Sequence, residues 1–261
     1  MKTFNILAIG DIAGPCALEY LSKILWRTRQ RYGADLVIAN GENCAEPNGI
    51  DRISGEALFD CGVDVITTGN HVFRKSSAHK FLDDEDYVLR PLNFPSQNPG
   101  HGDCIIKING YNVLVMNVMG QVYMDCVSCP FEAIEKCLER NKGKYDFAVL
   151  DVHAEATGEK KTIAYSFAEE LSVCFGTHTH VQTNDPQILG GKCGFISDLG
   201  MCGAEESILG VKKEAIISKI RYKLPSKFDF AQGKIICDMV LFEINTDTGS
   251  CVSVKNFRIG E

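Results

Sequence analysis

At 261 residues, with 45% hydrophobic and 23% charged positions, the chain has the make-up of a soluble globular protein and is long enough to bury a large core. A formal net charge of -7 argues against an extended nucleic-acid surface, leaving room only for a local positive site. The apolar run after Met1 is too short for a signal peptide or a membrane span, so a cytoplasmic protein of one domain, residues 1–261, with no membrane partner is expected.

Residues 4–10 read as a buried strand ending in Gly10-Asp11, which puts a carboxylate at the C-terminal edge of a sheet, where α/β proteins bind ligands. A helix N-cap before the next segment is the alternative role for Asp11. Leu18, Leu21, Ile24, Leu25 and Trp26 give residues 16–32 the spacing of an amphipathic helix, closed by Gly33. The strand Leu36-Val37-Ile38-Ala39 runs into Asn40-Gly41-Glu42-Asn43. After a helix near Ser54 to Cys61, the strand Val63 to Thr67 runs into Thr68-Gly69-Asn70-His71. Three successive strands therefore end in glycine plus an oxygen or nitrogen donor, a pattern that turn chemistry alone explains poorly.

Asp83 to Asp86 reads as a solvated helix end, and Arg90-Pro91-Leu92-Asn93-Phe94-Pro95 as an extended loop. Asp103 to Ile108 and Tyr111 to Val118, joined by Asn109-Gly110, form a hairpin. A helix over 131–141 and a strand over 145–152 deliver His153 to another strand end. A helix through Ala164, Phe167 and Leu171 leads to the apolar run before Gly176-Thr177-His178-Thr179-His180. In an extended segment two histidines two apart point to the same side, which is metal-ligand spacing. Residues 193–197, 235–244 and 252–257 are strand-like and suggest a second sheet. The twelve cysteines, without a secretory context or dense spacing, read as reduced thiols, and Cys126-Val127-Ser128-Cys129 as a loop before a helix.

Collected, the candidate donors are Asp11, Glu42, Asn43, Asn70, His153, His178 and His180. Imidazole, carboxylate and amide oxygens suit Mn, Fe, Zn or Co rather than a soft-metal centre. The set exceeds one tetrahedral site and fits two metals sharing a carboxylate. Only Asp11 and Glu42 are anionic, so two cations would leave positive charge for hydroxide and an anionic substrate. A metal pair about 3.5–4 Å apart activates a bridging water and stabilises the attacking and leaving oxygens of a phosphoryl displacement.

Gly10-Asp11, Gly41-Glu42-Asn43, Gly69-Asn70-His71, Asp151-Val152-His153 and Gly176-Thr177-His178-Thr179-His180, in this order, resemble the calcineurin-like metallophosphoesterases. His153 to Thr157, Gly176 to Thr183, Arg90 to Pro95 and Asp198-Leu199-Gly200-Met201 bring the resemblance closer to the bacterial YmdB-type branch. It implies an α/β metallophosphoesterase-like sandwich of two mixed β-sheets flanked by α-helices, and two metal ions per chain, Fe or Mn first and Zn or Co next. It also implies a homo-oligomer, and hydrolysis of small phosphodiesters such as 2′,3′-cyclic nucleotides by a metal-bridging hydroxide. Carried over by position, Asp11, Glu42, Asn43 and His180 would hold one metal and Glu42, Asn70, His153 and His178 the other. His71 would be the general acid, a role suited to imidazole.

Three positions depart from the pattern. Ile12-Ala13 follow Asp11 where the wider superfamily carries a histidine, which Asn43 would replace. Val72 stands where an acidic partner of His71 is common, and Glu46-Pro47-Asn48-Gly49 lacks the His/Lys pattern of the branch. The same core would also serve a nucleotidase or phosphomonoesterase, or a regulatory protein that binds a nucleotide or RNA end with little turnover.

Overall fold

The computed structural model describes residues 2–261. In β1 (Thr3–Ile9), Phe4, Ile6 and Ala8 turn to one side and Leu7 and Ile9 to the other, and the two sides enter different hydrophobic clusters. Beyond Gly10, the short β2 (Asp11–Ile12) leads to α1 (Pro15–Tyr32). Pro15 sits in the first turn, where its missing N–H leaves no bond unmade, and Gly33 ends the helix in the left-handed region at φ 57. Gly14, not Asp11, is the N-cap, so Asp11 is not a capping residue.

A parallel run follows: β3 (Leu36–Asn40), α2 (Arg52–Asp60), β4 (Val65–Thr67), α3 (Ala78–Asp84) and β5 (Val88–Leu89). β6 (Asp103–Ile108) and β7 (Tyr111–Met119) form the expected hairpin, with Asn109 and Gly110 both at positive φ. Next come α4 (Pro130–Asn141), β8 (Phe147–His153), α5 (Thr157–Ser166) and β9 (Val173–Thr177). The chain continues with β10 (Gln187–Leu189), β11 (Cys193–Ile196), β12 (Met201–Ala204), α6 (Lys213–Tyr222), β13 (Ile235–Asn245) and β14 (Cys251–Gly260).

Two mixed sheets result. One has the order β2-β12-β13-β1-β3-β4-β5, with β14 on the far edge of β13; the other has the order β10-β11-β9-β8-β7-β6. β1, β3, β4 and β5 are parallel, as are β7, β8, β9 and β11. Phe4, Ile6, Ile38, Val115, Val149, Phe175 and Phe242 belong to the layer between the sheets. α1, α2 and α3 cover the outside of the first sheet through Leu21, Leu25, Leu58 and Phe81, while α4 and α5 cover the second through Ile134, Leu138 and Ile163. No helix among the described residues is long and apolar enough to cross a membrane.

Several sequence expectations change. Strands 193–197, 235–244 and 252–257 do not share a second sheet: β11 joins the second, whereas β13 pairs antiparallel with β1 in the first and carries β14. The helix drawn through Leu171 stops at Ser166; Phe167, Ala168 and Leu171 are buried, but from a turn. Trp26 is 54% exposed, lying beside the buried face of α1 and against Gly62 and Arg29. Cys126 and Cys129 lie in a loop before α4, and all twelve cysteines are free.

Candidate metal centre and active site

The two parallel strand sets bring their C-terminal ends together. From the first sheet come Asp11, Glu42 with Asn43, and Asn70 with His71, which follow β1, β3 and β4. From the second, β8 ends on His153 and β9 on Thr177, just before His178 and His180. Close approach demands glycine here: a Cβ on Gly69 would lie 2.1 Å from the His153 ring, and one on Gly10 2.2 Å from the carbonyl oxygen of Gly200.

The H-x-H is not extended, contrary to the sequence expectation. His178 has φ 98 and His180 φ 61, both in the left-handed region that side chains with a Cβ rarely occupy. Strand alternation therefore does not pair these rings; a strained loop beyond β9 does. Asp198 braces it, its Oδ2 accepting from Thr179 N at 3.1 Å and Thr179 Oγ1 at 2.8 Å, and its Oδ1 from Gly200 N at 2.9 Å. The buried Lys160 ammonium reaches the same carboxylate at 2.7 Å.

All seven candidate donors join one network. His153 Nε2 is 3.0 Å from Asn70 Oδ1, 3.1 Å from His178 Nδ1 and 3.3 Å from Glu42 Oε1. Asn43 Nδ2 donates to Glu42 Oε1 at 3.2 Å and lies 3.5 Å from His180 Nε2. His180 Nε2 is in turn 3.5 Å from Asp11 Oδ1, and Asp11 Oδ2 accepts from His178 N at 3.1 Å. One proton on His153 Nε2 can serve only one of its three neighbours, whereas a cation can be shared by all of them. Glu42, His153 and His178 each offer a ligand atom within 4.8 Å of the others. Asp11 Oδ1 is buried with no hydrogen-bond partner. An orphaned carboxylate oxygen beside converging lone pairs fits divalent cations held by N and O donors.

Charges inside the cluster act on one another. Burial opposes ionisation of Glu42 and Asp11, but His153 and His71 hold Glu42 well below the ordinary carboxylate range, and His180 and His153 hold Asp11 below it. Burial likewise opposes charge on His153, yet Glu42 lifts that imidazole to about 9. His180 is raised too, the Asp11 carboxylate outweighing burial. Burial and then repulsion from His153 push His178 down to about 4.

His71 has a partner that the sequence did not indicate. Its Nδ1 lies 2.8 Å from Asn43 Oδ1 and its backbone N donates to Glu42 Oε2 at 2.9 Å. Val72 is fully buried in the core, so Asn43, with the Glu42 carboxylate 3.3 Å from the same Nδ1, orients the ring in place of a carboxylate at position 72. Arg90 donates to the carbonyls of Pro99 and Pro91, and Asn93 ties its loop to Met119 and Ser128; both hold backbone.

Comparison with known proteins decides the family, since the family model described as YmdB-like protein matches residues 7–257. The chain belongs to the YmdB-like family. A relative from Bacillus subtilis strain 168, named 2′,3′-cyclic-nucleotide 2′-phosphodiesterase, is 33% identical over 98% of this chain and 97% of its own. A crystal structure of a hypothetical protein from Thermus thermophilus superposes with TM-score 0.92 at 35% identity, covering 99% of this chain and 100% of that one. A structure described as a novel phosphatase from Mycoplasma pneumoniae gives TM-score 0.93 at 26% identity, covering 100% and 94%. The fold is that of the calcineurin-like phosphatases.

Some features of this YmdB-like site are not legible in the sequence. Asp151 accepts from Thr67 at 2.5 Å and Thr177 at 2.8 Å, and Thr177 Oγ1 sits 2.9 Å from His153 Nδ1, fixing that ring. Burial lifts Asp151 to about 7, with His153 pulling the other way. In the sequence Asp151 stands only as part of a motif, and Lys160 as one lysine in a charged helix start. α6 has no counterpart among the sequence expectations, although Ile216, Lys219 and Ile220 line the cavity of about 760 Å³ that opens onto Glu42, His71 and His178.

Proposed function

We propose that this protein hydrolyses phosphodiesters, with 2′,3′-cyclic nucleotides as leading substrates and a nucleoside 3′-monophosphate as product. The observation that carries this reading is the convergence of Glu42, Asn70, His153 and His178 with Asp11, whose Oδ1 has no hydrogen-bond partner, beside a cavity lined by Glu42, His71 and His178. Membership of the YmdB-like family and the named activity of the Bacillus subtilis relative support it.

Asp11, Glu42, Asn43 and His180 would hold one cation and Glu42, Asn70, His153 and His178 the other, Glu42 lying between. The absence of thiolates suits Mn or Fe, then Zn or Co. Bound there, the two cations would supply a lowered pKa for water and positive charge against the phosphoryl oxygens. In the reaction, a water oxygen adds to phosphorus, the P–O2′ bond breaks, and His71 donates a proton to O2′. Asn43, by engaging His71 Nδ1, leaves Nε2 to carry that proton. Asp151, through Thr177, holds the His153 ring in place while the site works. β1 from the start of the chain and β13 from its end share one sheet, which supports a single domain over 1–261; a cytoplasmic homo-oligomer completes the reading.

The test is hydrolysis of 2′,3′-cyclic AMP by protein reconstituted with Mn or Fe, with products and metal counted in one sample. The expected result is 3′-AMP with two metals per chain. Two metals with no turnover of the cyclic ester would overturn the assignment.

A further inference from the structure

α6 is an anomaly of packing. None of its residues is buried, yet it carries Ile216, Ile217 and Ile220. A surface helix has no use for such a face unless something covers it. Ile216, Lys219 and Ile220, spaced three and four apart, line the cavity in front of the candidate metal centre. Two aromatic rings join them from the segment that leads into β13. Phe230 packs against Gly14, where a Cβ would lie 2.6 Å from the ring, so its position is fixed. Phe228, 36% exposed, lines the same cavity with the Lys219 ammonium 4.5 Å from its ring centre.

The cavity therefore combines in its lining imidazoles and carboxylates, among them Glu42, His71 and His178, with the aliphatic and aromatic side chains of Ile216, Ile220, Phe228 and Phe230. Its volume of about 760 Å³ falls within the roughly 300–1,000 Å³ typical of sites for whole small molecules. The complementary ligand carries both a charged group and a flat, apolar part.

We propose that Ile216, Ile220, Phe228 and Phe230 form a nucleobase platform, so that the substrate is recognised as a nucleoside phosphate and not as a phosphodiester alone. This rests on the phosphodiesterase reading above and adds which esters the site prefers. Aromatic and apolar surfaces accept any base face, so the platform selects for a base without selecting its identity.

The test compares two five-membered cyclic phosphodiesters, 2′,3′-cyclic AMP and the base-free glycerol 1,2-cyclic phosphate, on metal-loaded wild type and on the double variant Ile220→Ser/Phe228→Ser. Neither residue belongs to the core or to the proposed ligands. The wild type should prefer the nucleotide, and the variant should lose about 10–100-fold in kcat/KM on it, through KM, with the glycerol ester unchanged. Equal wild-type kcat/KM on the two esters, or equal loss on both in the variant, overturns the platform. If neither ester is turned over, the phosphodiesterase reading fails on its own, and titration of the loaded protein with 3′-AMP and with glycerol 3-phosphate decides the platform: equal affinities overturn it. A variant that changes only the sedimentation of the protein would show these side chains to be covered by a second copy, which also overturns the platform.

Discussion

Replacing Lys160 by Met tests whether the loop bearing the two proposed histidine ligands is held by a buried ion pair. The Lys160 stem crosses β9 where a Cβ on Gly176 would lie 2.6 Å from Lys160 Cδ, and its ammonium ends 2.7 Å from Asp198 Oδ2. Met keeps most of the stem volume, so the cavity left is small and the loss is chiefly electrostatic. Removing one partner of a buried pair costs about 3–5 kcal/mol, because the other charge is left uncompensated. Asp198 retains Thr179 N, Thr179 Oγ1 and Gly200 N as donors, which puts the expectation at the low end, ~3 kcal/mol. For a chain of this length that corresponds to a fall of roughly 6–12 °C in Tm of the metal-free protein, read by circular dichroism. Since Thr179 lies between His178 and His180, metal affinity measured by calorimetry should also drop, about 10–100-fold. A loss below about 1 kcal/mol with unchanged metal affinity would refute the bracing role.

Further outcomes are expected. His71→Ala should keep its metal content and lose about 10²–10⁴ in kcat; unaltered turnover removes His71 from the chemistry. Gly69→Ala should displace His153, since the added carbon would meet that ring at 2.1 Å, and the protein should be isolated with fewer metals per chain than wild type; full occupancy by elemental analysis would contradict the geometry. Because Glu42 lifts His153 from 6.5 to about 9 against burial, the metal-free site is protonated at neutral pH and loading should release a proton. Heats of metal binding should then differ between buffers of different ionisation enthalpy, and equal heats would refute it. In the metal-free protein this raised group stabilises fully below pH 6.5, and its contribution is lost as pH rises through about 9. His178, lowered to about 4 by burial and His153, acts on the other side: its contribution is lost as pH falls from 6.5 through about 4.

What the sequence disclosed follows from where its information is local. Strand ends such as Ile9-Gly10-Asp11 and Ala39-Asn40-Gly41-Glu42 mark a change from apolar run to glycine and donor, and each lies at the site. The Asn109-Gly110 hairpin is likewise fixed by its own turn. Features decided by distant partners stayed hidden. β13 is apolar on both faces, so nothing in its pattern says that it pairs with β1 instead of β11. Phe167 and Leu171 have helical spacing but are held by packing of a turn. Lys160 differs from the half-buried Lys161 only in what lies across from it, and α6 has an apolar pattern that no core contact explains.

The placement of β1 between β3 and β13 also has a consequence for biosynthesis. Asp11 leaves the ribosome early, but Gly10 bonds to Asp238 and β2 pairs with β12, both made much later. His153, His178 and His180 emerge in between. The first sheet closes only when β13, made long after β1, docks beside it, and long-range pairings of this kind form late. Until β13 has been made, the nascent chain thus exposes its would-be ligands without the geometry to retain an ion. Cations that these residues would hold could enter only once that sheet has closed, so which ions are offered at that moment would decide the occupancy.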